Sequence, residues 1–246
     1  MIYFRPLLGQ TIFALGTFIF LCWLGVWQLE RLAWKLDLIE TSQQRATGDP
    51  VALDEVLKRP TLEDMRYQKV SVTGTFDHSK EVFFYAPHQQ GPGFRVITPL
   101  VPLAGAPVLV DRGWVPNEKQ DPEMRLSGQI AGEITIAGIV LLAGEATPGV
   151  PGHQGRDPVW MFRDLNGMAS YMALPGAAPV FVVALPGDGG ELWPRPEAPN
   201  LTFRNSHLGY ALTWFGLAFA LLSVYIAFHV SQGRLRFGKT KGDQPK

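Results

Sequence analysis

Two long apolar stretches stand near opposite ends of the chain and dominate its pattern of hydrophobic and polar positions. Neither residues 6–29 nor residues 208–230 contain a formally charged side chain. Each stretch exceeds the roughly 20 residues that a helix needs to cross about 30 Å of hydrocarbon. The pattern therefore predicts two transmembrane helices, residues 6–29 and 207–230, that cross a lipid bilayer.

The segment between these stretches, residues 30–206, alternates apolar and polar positions in short runs, as β-strands do. β-branched and aromatic residues are rich in the runs, and Gly, Pro, Asn and Asp separate them. Long apolar helical patterns do not alternate with the runs, so we predict an antiparallel β-rich domain, a small barrel or sandwich. Short helices are expected near Asp54–Arg66 and Asp164–Met172. The predicted strands are Tyr67–Phe76, 81–86, 93–103, 106–116, 133–142 and 178–185.

Charged residues beside the apolar stretches predict the orientation of the chain. The tail, residues 231–246, holds two Arg and three Lys against a single acid, Asp243. Basic flanks stay on the cytoplasmic side, and two crossings return both termini to the same side. We therefore expect both termini in the cytoplasm and the central domain outside it.

The first apolar stretch is longer than the core of a signal peptide, and bulky residues follow it where a peptidase needs small ones. This favours a retained anchor. No Arg- and Ser-rich presequence precedes it, which favours a bacterial plasma (inner) membrane with the domain in the periplasm.

Composition argues against several classes of function. The formal net charge is zero, so the chain has no global basic field that would recruit nucleic acid. Cys22, the only cysteine, lies in the first apolar stretch, so the domain can form no disulfide within the chain and has no C-x-x-C redox motif. The sequence has no G-x-S-x-G, phosphate-loop or H-E-x-x-H motif, and we expect no enzyme.

A histidine stands immediately before the second apolar stretch, in "NSHLGYALTWF". Asn205 or Ser206 can cap a helix there, which places His207 in the first turn. Tyr210 then lies about 60° and Trp214 about 20° from His207 around the helix axis. An imidazole in this position can bind iron or another metal while neighbouring rings pack on a flat macrocycle. The alternative is an interfacial aromatic belt with a polar rim, and spacing alone leaves both open.

The end of the first apolar stretch offers a second set of aromatic and basic residues. Trp23, Trp27 and Arg31 are four residues apart, and Trp34 follows. An aromatic belt with an arginine reaching for the interface explains them structurally. Arg31 can also pair with a carboxylate such as a haem propionate, because a guanidinium binds carboxylates through two hydrogen bonds. Both interpretations stay open.

The remaining histidines and methionines are less suggestive of a site. His229 lies 22 residues beyond His207, about 33 Å along an ideal helix, so the two cannot bind one ion within a single subunit; we expect His229 at the cytoplasmic rim. The other three histidines are expected to be solvated: His78, His88 and His153. Three methionines could suit copper(I), but their helical spacing favours core filling: Met161, Met168 and Met172.

The domain contains two stretches, "GPGFRVITPL" and "VDRGWVP", whose glycines and prolines constrain the backbone. These residues favour a structural role over a catalytic one. Gly113 before Trp114 is expected at a bulge or a close approach of the backbone. Asp111 and Arg112 are expected on opposite faces of their strand, and so not paired with each other.

Four stretches together resemble the surfeit-locus family of cytochrome c oxidase assembly factors. They are "GVWQLERLAWK" (25–35), "GPGFRVITPL" (91–100), "VLVDRGWVP" (108–116) and "NSHLGYALTWF" (205–215). They follow the family's order between two terminal membrane helices, so the resemblance covers nearly the whole chain. Ser206 and Asp111 stand where the family often has asparagine.

The resemblance implies a role in maturing haem-copper oxidase, by binding haem a and aiding its delivery to the catalytic subunit. The family's haem-associated histidine falls on His207, which would be the metal ligand. Tyr210 and Trp214 would then form pocket walls, and Trp27 and Arg31 would support the cofactor from the first helix. A second hypothesis is a cofactor-free scaffold that holds an oxidase subunit or the haem a synthase.

Overall fold

The computed structural model describes residues 2–144, 153, 157–187, 192–201 and 205–237. The α-helices are α1 (Leu8–Thr47), α2 (Leu53–Val56), α3 (Leu62–Met65), α4 (Leu165–Tyr171) and α5 (His207–Ser231). The strands are β1 (Ile2–Phe4), β2 (Val51–Ala52), β3 (Lys69–Phe76), β4 (Val82–Tyr85), β5 (Gly93–Val101), β6 (Val108–Pro116), β7 (Glu133–Leu141), β8 (Val159–Trp160), β9 (Phe181–Ala184) and β10 (Leu235–Phe237).

The chain divides into two compact units, a helical unit of residues 1–39 and 202–246 and a β-rich unit of residues 40–201. The helical unit contains α5 and most of α1, and both helices are long and apolar enough to be candidate membrane spans. Helix α1 continues to Thr47, well beyond the predicted membrane limit at Leu29. The predicted limits of the membrane segments, 6–29 and 207–230, stay predictions.

Helices α1 and α5 pack side by side in opposite directions. Near the start of α1, the hydroxyl groups of Thr11 and Tyr225 are 2.7 Å apart, and further along the helix Gln28 meets His207 at the start of α5. Strands β1 and β10 pair antiparallel within the same unit.

The β-rich unit is built around a closed ring of five strands. Strand β3 pairs with β7, β7 with β9, β9 with β6 and β6 with β5, and the end of β5 returns to the end of β3. Strands β2, β4 and β8 extend this sheet beyond the ring. The prediction of two terminal apolar helices and a β-rich central domain is confirmed, and the small barrel is the correct form.

The prediction that all strands pair antiparallel is wrong at β6–β9, β2–β3 and β4–β8, which are parallel. A ring with an odd number of strands cannot alternate direction all the way round, so at least one neighbouring pair must be parallel. In this barrel that pair is β6–β9, because β9 arrives after α4 and completes the ring between β6 and β7.

Alternate residues of β6 belong to two different hydrophobic cores. Val108 and Val110 pack inside the barrel, whereas Leu109 packs against α4 on the other face of the sheet. Met168 and Met172 fill that second core, as expected, but Met161 is exposed and the core-filling prediction is wrong there.

The predicted irregularity at Gly113 is confirmed. The pairing of β5 with β6 shifts register where Arg95 faces Trp114 and Ile97 faces Asp111, so β6 has one extra residue there. Gly113 has φ +126°, and a Cβ there would overlap the backbone of Arg195. Only glycine fits such a position without strain.

Candidate functional site

His207 is the first residue of α5, as the capping pattern predicts. The side chain of Ser206 makes no capping hydrogen bond, and the Oδ1 atom of Asn205 accepts the backbone N–H of His207 at 3.3 Å. Asn205 therefore satisfies one of the unpaired N–H groups at the start of the helix.

The imidazole of His207 is held by a side chain that the sequence did not single out. Its Nδ1–H donates to Oε1 of Gln28 on α1 at 2.8 Å. A neutral imidazole has one protonated nitrogen, so this hydrogen bond leaves the lone pair on Nε2 for another partner. His207 as a whole is half-buried.

Gln28 lies on the face of α1 that packs against α5. Seven half-buried or buried positions of α1 form a stripe in which the spacing alternates between three and four residues: Thr11, Ala14, Phe18, Leu21, Gly25, Gln28 and Leu32. This is the spacing of two helices packed side by side. Thr17, Cys22 and Leu24 beside this stripe are half-buried as well. The sequence does contain a signal for Gln28, since it is a polar residue on a stripe of small and apolar ones. The stripe is hard to recognise in the sequence because the residues on the other faces of the helix are apolar too.

Small residues let the two backbones approach beside this hydrogen bond. A Cβ placed on Gly25 would lie 2.6 Å from Cζ of Phe215, closer than real Cβ contacts come. On α5, Ala211 and Ala218 are buried on the same face as His207. Close packing of this kind is how helices associate in a bilayer, where hydrophobic burial offers little gain.

The predicted companions of His207 differ in their surroundings. Trp214 is half-buried on the stripe of α5 that contains His207, whereas Tyr210 is 56% exposed. On α1, Trp27 is 43% exposed and Arg31 is exposed, with its guanidinium 4.2 Å from the ring centre of Trp34. The structure thus joins His207 to Gln28 and places Trp214 two turns further along the same side of α5. The roles of Trp214, Tyr210, Trp27 and Arg31 stay predictions.

The three histidines of the β-rich unit are half-buried, and each contacts a protein partner, so they are less solvated than expected. His78 bonds to the carbonyl of Ile130 at 2.9 Å and to Arg112 at 3.2 Å. His88 lies 3.3 Å from a carboxylate oxygen of Glu197, and His153 stacks on Trp160 with ring centres 3.9 Å apart.

His229 is fully buried near the end of α5, among the rings of Phe4, Tyr225 and Phe228. Within the part of the chain that the structure describes, no group of three or more His, Cys, Asp or Glu could hold a metal ion. Coordination at His207 would therefore use a single imidazole.

A buried charge cluster crosses the β-rich unit next to the bulge in β6. Glu81 accepts hydrogen bonds from Thr98 and Arg125, and its Oε2 lies 3.5 Å from Nη1 of Arg112. Burial lowers the pKa of Arg112 to about 10; Glu81 opposes this effect, and Arg125 adds to it. One carboxylate thus serves two buried guanidinium groups.

Asp111 forms a separate cluster on the other face of β6, as the alternation of the strand predicts. Its Oδ2 accepts from Nε of Arg95 at 2.6 Å, and the carboxylate is fully buried. Arg163 approaches the same oxygen at 3.4 Å, and Oδ1 accepts the backbone N–H of Gly113. Asp111 therefore stabilises the bulge and joins neighbouring segments, a role that the sequence did not reveal.

Comparisons with known proteins give one consistent result. A sequence model of the SURF1 family matches residues 15–219. Surfeit locus protein 1 of Gallus gallus is 36% identical over 219 residues, which cover 80% of this chain and 68% of that protein. The protein of the same name from Homo sapiens is 35% identical over 219 residues, with 80% and 70% covered. The one from Takifugu rubripes is 33% identical over 226 residues, with 83% and 90% covered.

Proposed function

Because the chain belongs to the SURF1 family, we propose that it is a membrane assembly factor for haem-copper cytochrome c oxidase. In this proposal it binds haem a through His207 and aids delivery of the haem to the catalytic subunit of the oxidase. The resemblance of its motifs to the surfeit-locus assembly factors supports the oxidase role.

The hydrogen bond between His207 and Gln28 is the observation that carries the haem proposal. A histidine that held haem iron would use the lone pair of one ring nitrogen, and the other ring nitrogen would ordinarily be fixed by a hydrogen bond to the protein. Gln28 accepts the Nδ1–H of His207 at 2.8 Å, which provides this arrangement. A histidine that merely formed a polar rim would need no such partner.

The neighbouring side chains suit a flat, apolar cargo with acidic groups. The ring of Trp214 lies on the same helical face as His207, and the exposed ring of Tyr210 lies one turn on. Trp27 presents another exposed ring, and Arg31 presents a cation that pairs well with a propionate. Because these groups are only partly covered, the cargo can be released to a partner.

The proposed setting is a bacterial plasma membrane that α1 and α5 cross, with both termini in the cytoplasm and the β-rich unit in the periplasm. The length and apolar composition of the two helices support the membrane, and the basic residues 231–246 support the orientation. His207 would then stand at the periplasmic boundary of the bilayer.

The second candidate function is a cofactor-free scaffold that holds an oxidase subunit or the haem a synthase. The large exposed apolar side chains on α1 and α5 favour contacts with other membrane helices. The two functions differ in one respect, since only the haem-binding factor requires His207.

The test is the absorption spectrum of the full chain, purified in detergent from cells that make haem a. We expect a haem spectrum for the wild type and its loss in His207→Ala. His229→Ala is the matched control, since it removes an imidazole from the same helix and should keep the spectrum. An unchanged spectrum in His207→Ala would show that His207 is not the ligand. A colourless wild type would contradict haem binding and leave the cofactor-free scaffold as the remaining candidate function.

A further inference from the structure

The two ends of the chain meet in a small β-ribbon, residues 2–5 and 234–237, that the proposed function does not use. Strands β1 and β10 pair antiparallel, with Tyr3 opposite Arg236. The backbone N–H of Arg5 donates to the carbonyl oxygen of Arg234 at 2.9 Å, which continues the same register by one residue. The ribbon belongs entirely to the helical unit.

The register divides the side chains of the ribbon between two faces. Residues that are directly opposite in an antiparallel pair lie on the same face, and the faces alternate along each strand. One face therefore has a tyrosine and three arginines: Tyr3, Arg5, Arg234 and Arg236. Phe4 and Leu235 lie on the other face, where the ring centres of Phe4 and the buried His229 of α5 are 5.7 Å apart. The ribbon is thus amphipathic, with its apolar face toward the end of α5.

The end of α5 holds β10 in this position. The backbone N–H of Arg234 donates to the carbonyl oxygen of His229 at 2.8 Å, and that of Gly233 donates to the carbonyl oxygen of Val230 at 2.9 Å. Gly233 has φ +62°, the left-handed conformation that commonly closes the C-terminus of a helix. The chain therefore leaves α5 in a defined direction, which brings the arginines of β10 beside β1.

The three arginines repel one another unless an anion lies between them. Arg5 and Arg234 are directly opposite, where Cβ atoms are about 5 Å apart, and like charges in that position destabilise a strand pair. Arg236 lies on the same face, and its Nε donates to the carbonyl oxygen of Gly233 at 3.2 Å. The Cζ atom of Arg5 lies 5.8 Å from the ring centre of Tyr3. Neither contact supplies a negative charge.

The sequence offers little negative charge at this end of the helical unit. Residues 1–29 contain no acidic side chain, and Asp243 is the only one in residues 202–246. Residues 238–246 lie outside the described residues, but they contain three lysines beside that aspartate and so add net positive charge. This end of the chain is thus cationic.

The position of the ribbon favours a lipid over a soluble anion. Phe4 ends β1 shortly before Leu8 begins α1, and Ser231 ends α5 shortly before Leu235 begins β10. The ribbon therefore adjoins the ends of both candidate membrane spans. Tyr3 is 48% exposed, and tyrosine concentrates at the level of the lipid headgroups. Anionic lipids attract clusters of basic residues beside a membrane segment.

We propose that the cationic face of this ribbon binds the phosphate group of an anionic phospholipid, between Arg5 and Arg234 and beside Arg236. A guanidinium binds phosphate oxygens through two hydrogen bonds, so arginines from both ends of the chain can share one headgroup. The bound lipid would then join the start of α1 to the end of α5. The proposal rests on the membrane crossing of the proposed function but does not depend on haem binding.

The experiment measures which lipid gathers at the ribbon in vesicles that contain the full chain. A fluorophore is attached to Gln232→Cys in a Cys22→Ser background, and lipids with a nitroxide on the acyl chain quench it at short range. The nitroxide is carried either by phosphatidylglycerol, which is anionic, or by phosphatidylcholine, which has no net charge. Both leaflets have the same composition, so the result does not depend on the direction in which the chain is inserted.

Two double variants remove equal charge from neighbouring positions. Arg5→Gln with Arg234→Gln changes the ribbon, and Lys239→Gln with Lys241→Gln is the matched control. We expect phosphatidylglycerol to quench the wild type more than phosphatidylcholine does. The arginine pair should lose this preference, by about fivefold in local enrichment for each arginine, and the lysine pair should keep it. Quenching by phosphatidylcholine should be equal in all of them, which shows that the label keeps its position.

Several outcomes would overturn the proposal. Equal quenching of the wild type by the two lipids would do so, as would a preference that survives the arginine changes or that both double variants lose alike. Quenching by neither lipid would also contradict the membrane crossing. If the arginine pair alters quenching by phosphatidylcholine, Arg236→Gln alone is judged by the same criterion. Inorganic phosphate that removes the preference more effectively than sodium chloride of equal ionic strength would assign the arginines to a soluble phosphate instead.

Discussion

At the scale of single residues, the chemistry of His207 is set by a partner 179 positions away in sequence. The sequence identified the histidine through its place before an apolar stretch and through its resemblance to a family motif. Gln28 lies in the stretch "GVWQLERLAWK", but the sequence did not single it out, because a neutral amide has no charge and its partner is far away along the chain. The charge of Asp111 is visible in the sequence, but its partner is not, because the fully buried carboxylate pairs with Arg95 of the neighbouring strand.

Two variants of Gln28 separate its proposed role from simple packing. Gln28→Leu removes the acceptor for the Nδ1–H of His207, and haem affinity should fall by about 10–100-fold, as it does when an outer hydrogen-bond partner of a metal ligand is lost. Gln28→Glu keeps an acceptor and strengthens it, so binding should persist while the haem reduction potential falls. The measurements are haem titration and redox titration.

A purely structural Gln28 would give a different pattern. In that case Gln28→Glu would disturb the helix pair as much as Gln28→Leu, and the reduction potential of any retained haem would match that of the wild type.

At the scale of elements, two geometrical rules account for what the pattern of residues did not reveal. A closed ring with an odd number of strands must contain at least one parallel pair. This rule explains why β6 and β9 pair parallel although the sequence predicts an antiparallel domain. Helix α1 carries a second pattern within its apolar run, the alternation of three and four residues that marks its contact with α5. The alternation distinguishes the positions of α1 that face α5 from the other apolar positions of the same run.

The contact between α1 and α5 can be tested at Gly25. Gly25→Leu would force a side chain into the ring of Phe215 and should destabilise the helix pair by about 1–3 kcal/mol, the usual cost of overpacking. Haem binding should weaken with it, because Gln28 lies one turn away. Gly16→Leu is the control, since a Cβ there meets nothing within 4 Å. Thermal unfolding in detergent, followed by circular dichroism, measures the difference; equal stability of the two variants would contradict the packing.

At the scale of the whole molecule, the chain consists of a helical unit assembled from both ends of the sequence and a β-rich unit from its middle. The helical unit closes on itself through contacts from Thr11–Tyr225 to Gln28–His207. If both helices cross the membrane, the two termini lie on the same side, and the two ends of the chain can then pack against each other.

The proposed orientation can be tested by cysteine labelling in a Cys22→Ser background. Leu103→Cys lies in the turn between β5 and β6, where the side chain is 91% exposed, and should react with a membrane-impermeant maleimide added to spheroplasts. Gln232→Cys, just after α5, should react only after the membrane is opened. The reverse pattern would place the β-rich unit in the cytoplasm and move His207 to the wrong side for the proposal.

The sequence by itself determined the properties that depend on local order along the chain. The two apolar helices, the six main strands, the short helix capped by Asp164, the bulge at Gly113 and the start of α5 at His207 all follow from periodicity, capping and the freedom of glycine. These signals are local because hydrogen bonding and side-chain direction repeat over a few residues.

Only the tertiary structure decided which distant side chains meet. It joined Gln28 to His207, gave Asp111 and Glu81 their arginines and closed five strands into a ring. Such contacts depend on the packing of elements that are far apart in sequence. A single chain carries no local signal for them, since the free energy that selects each partner arises only when both are removed from solvent together.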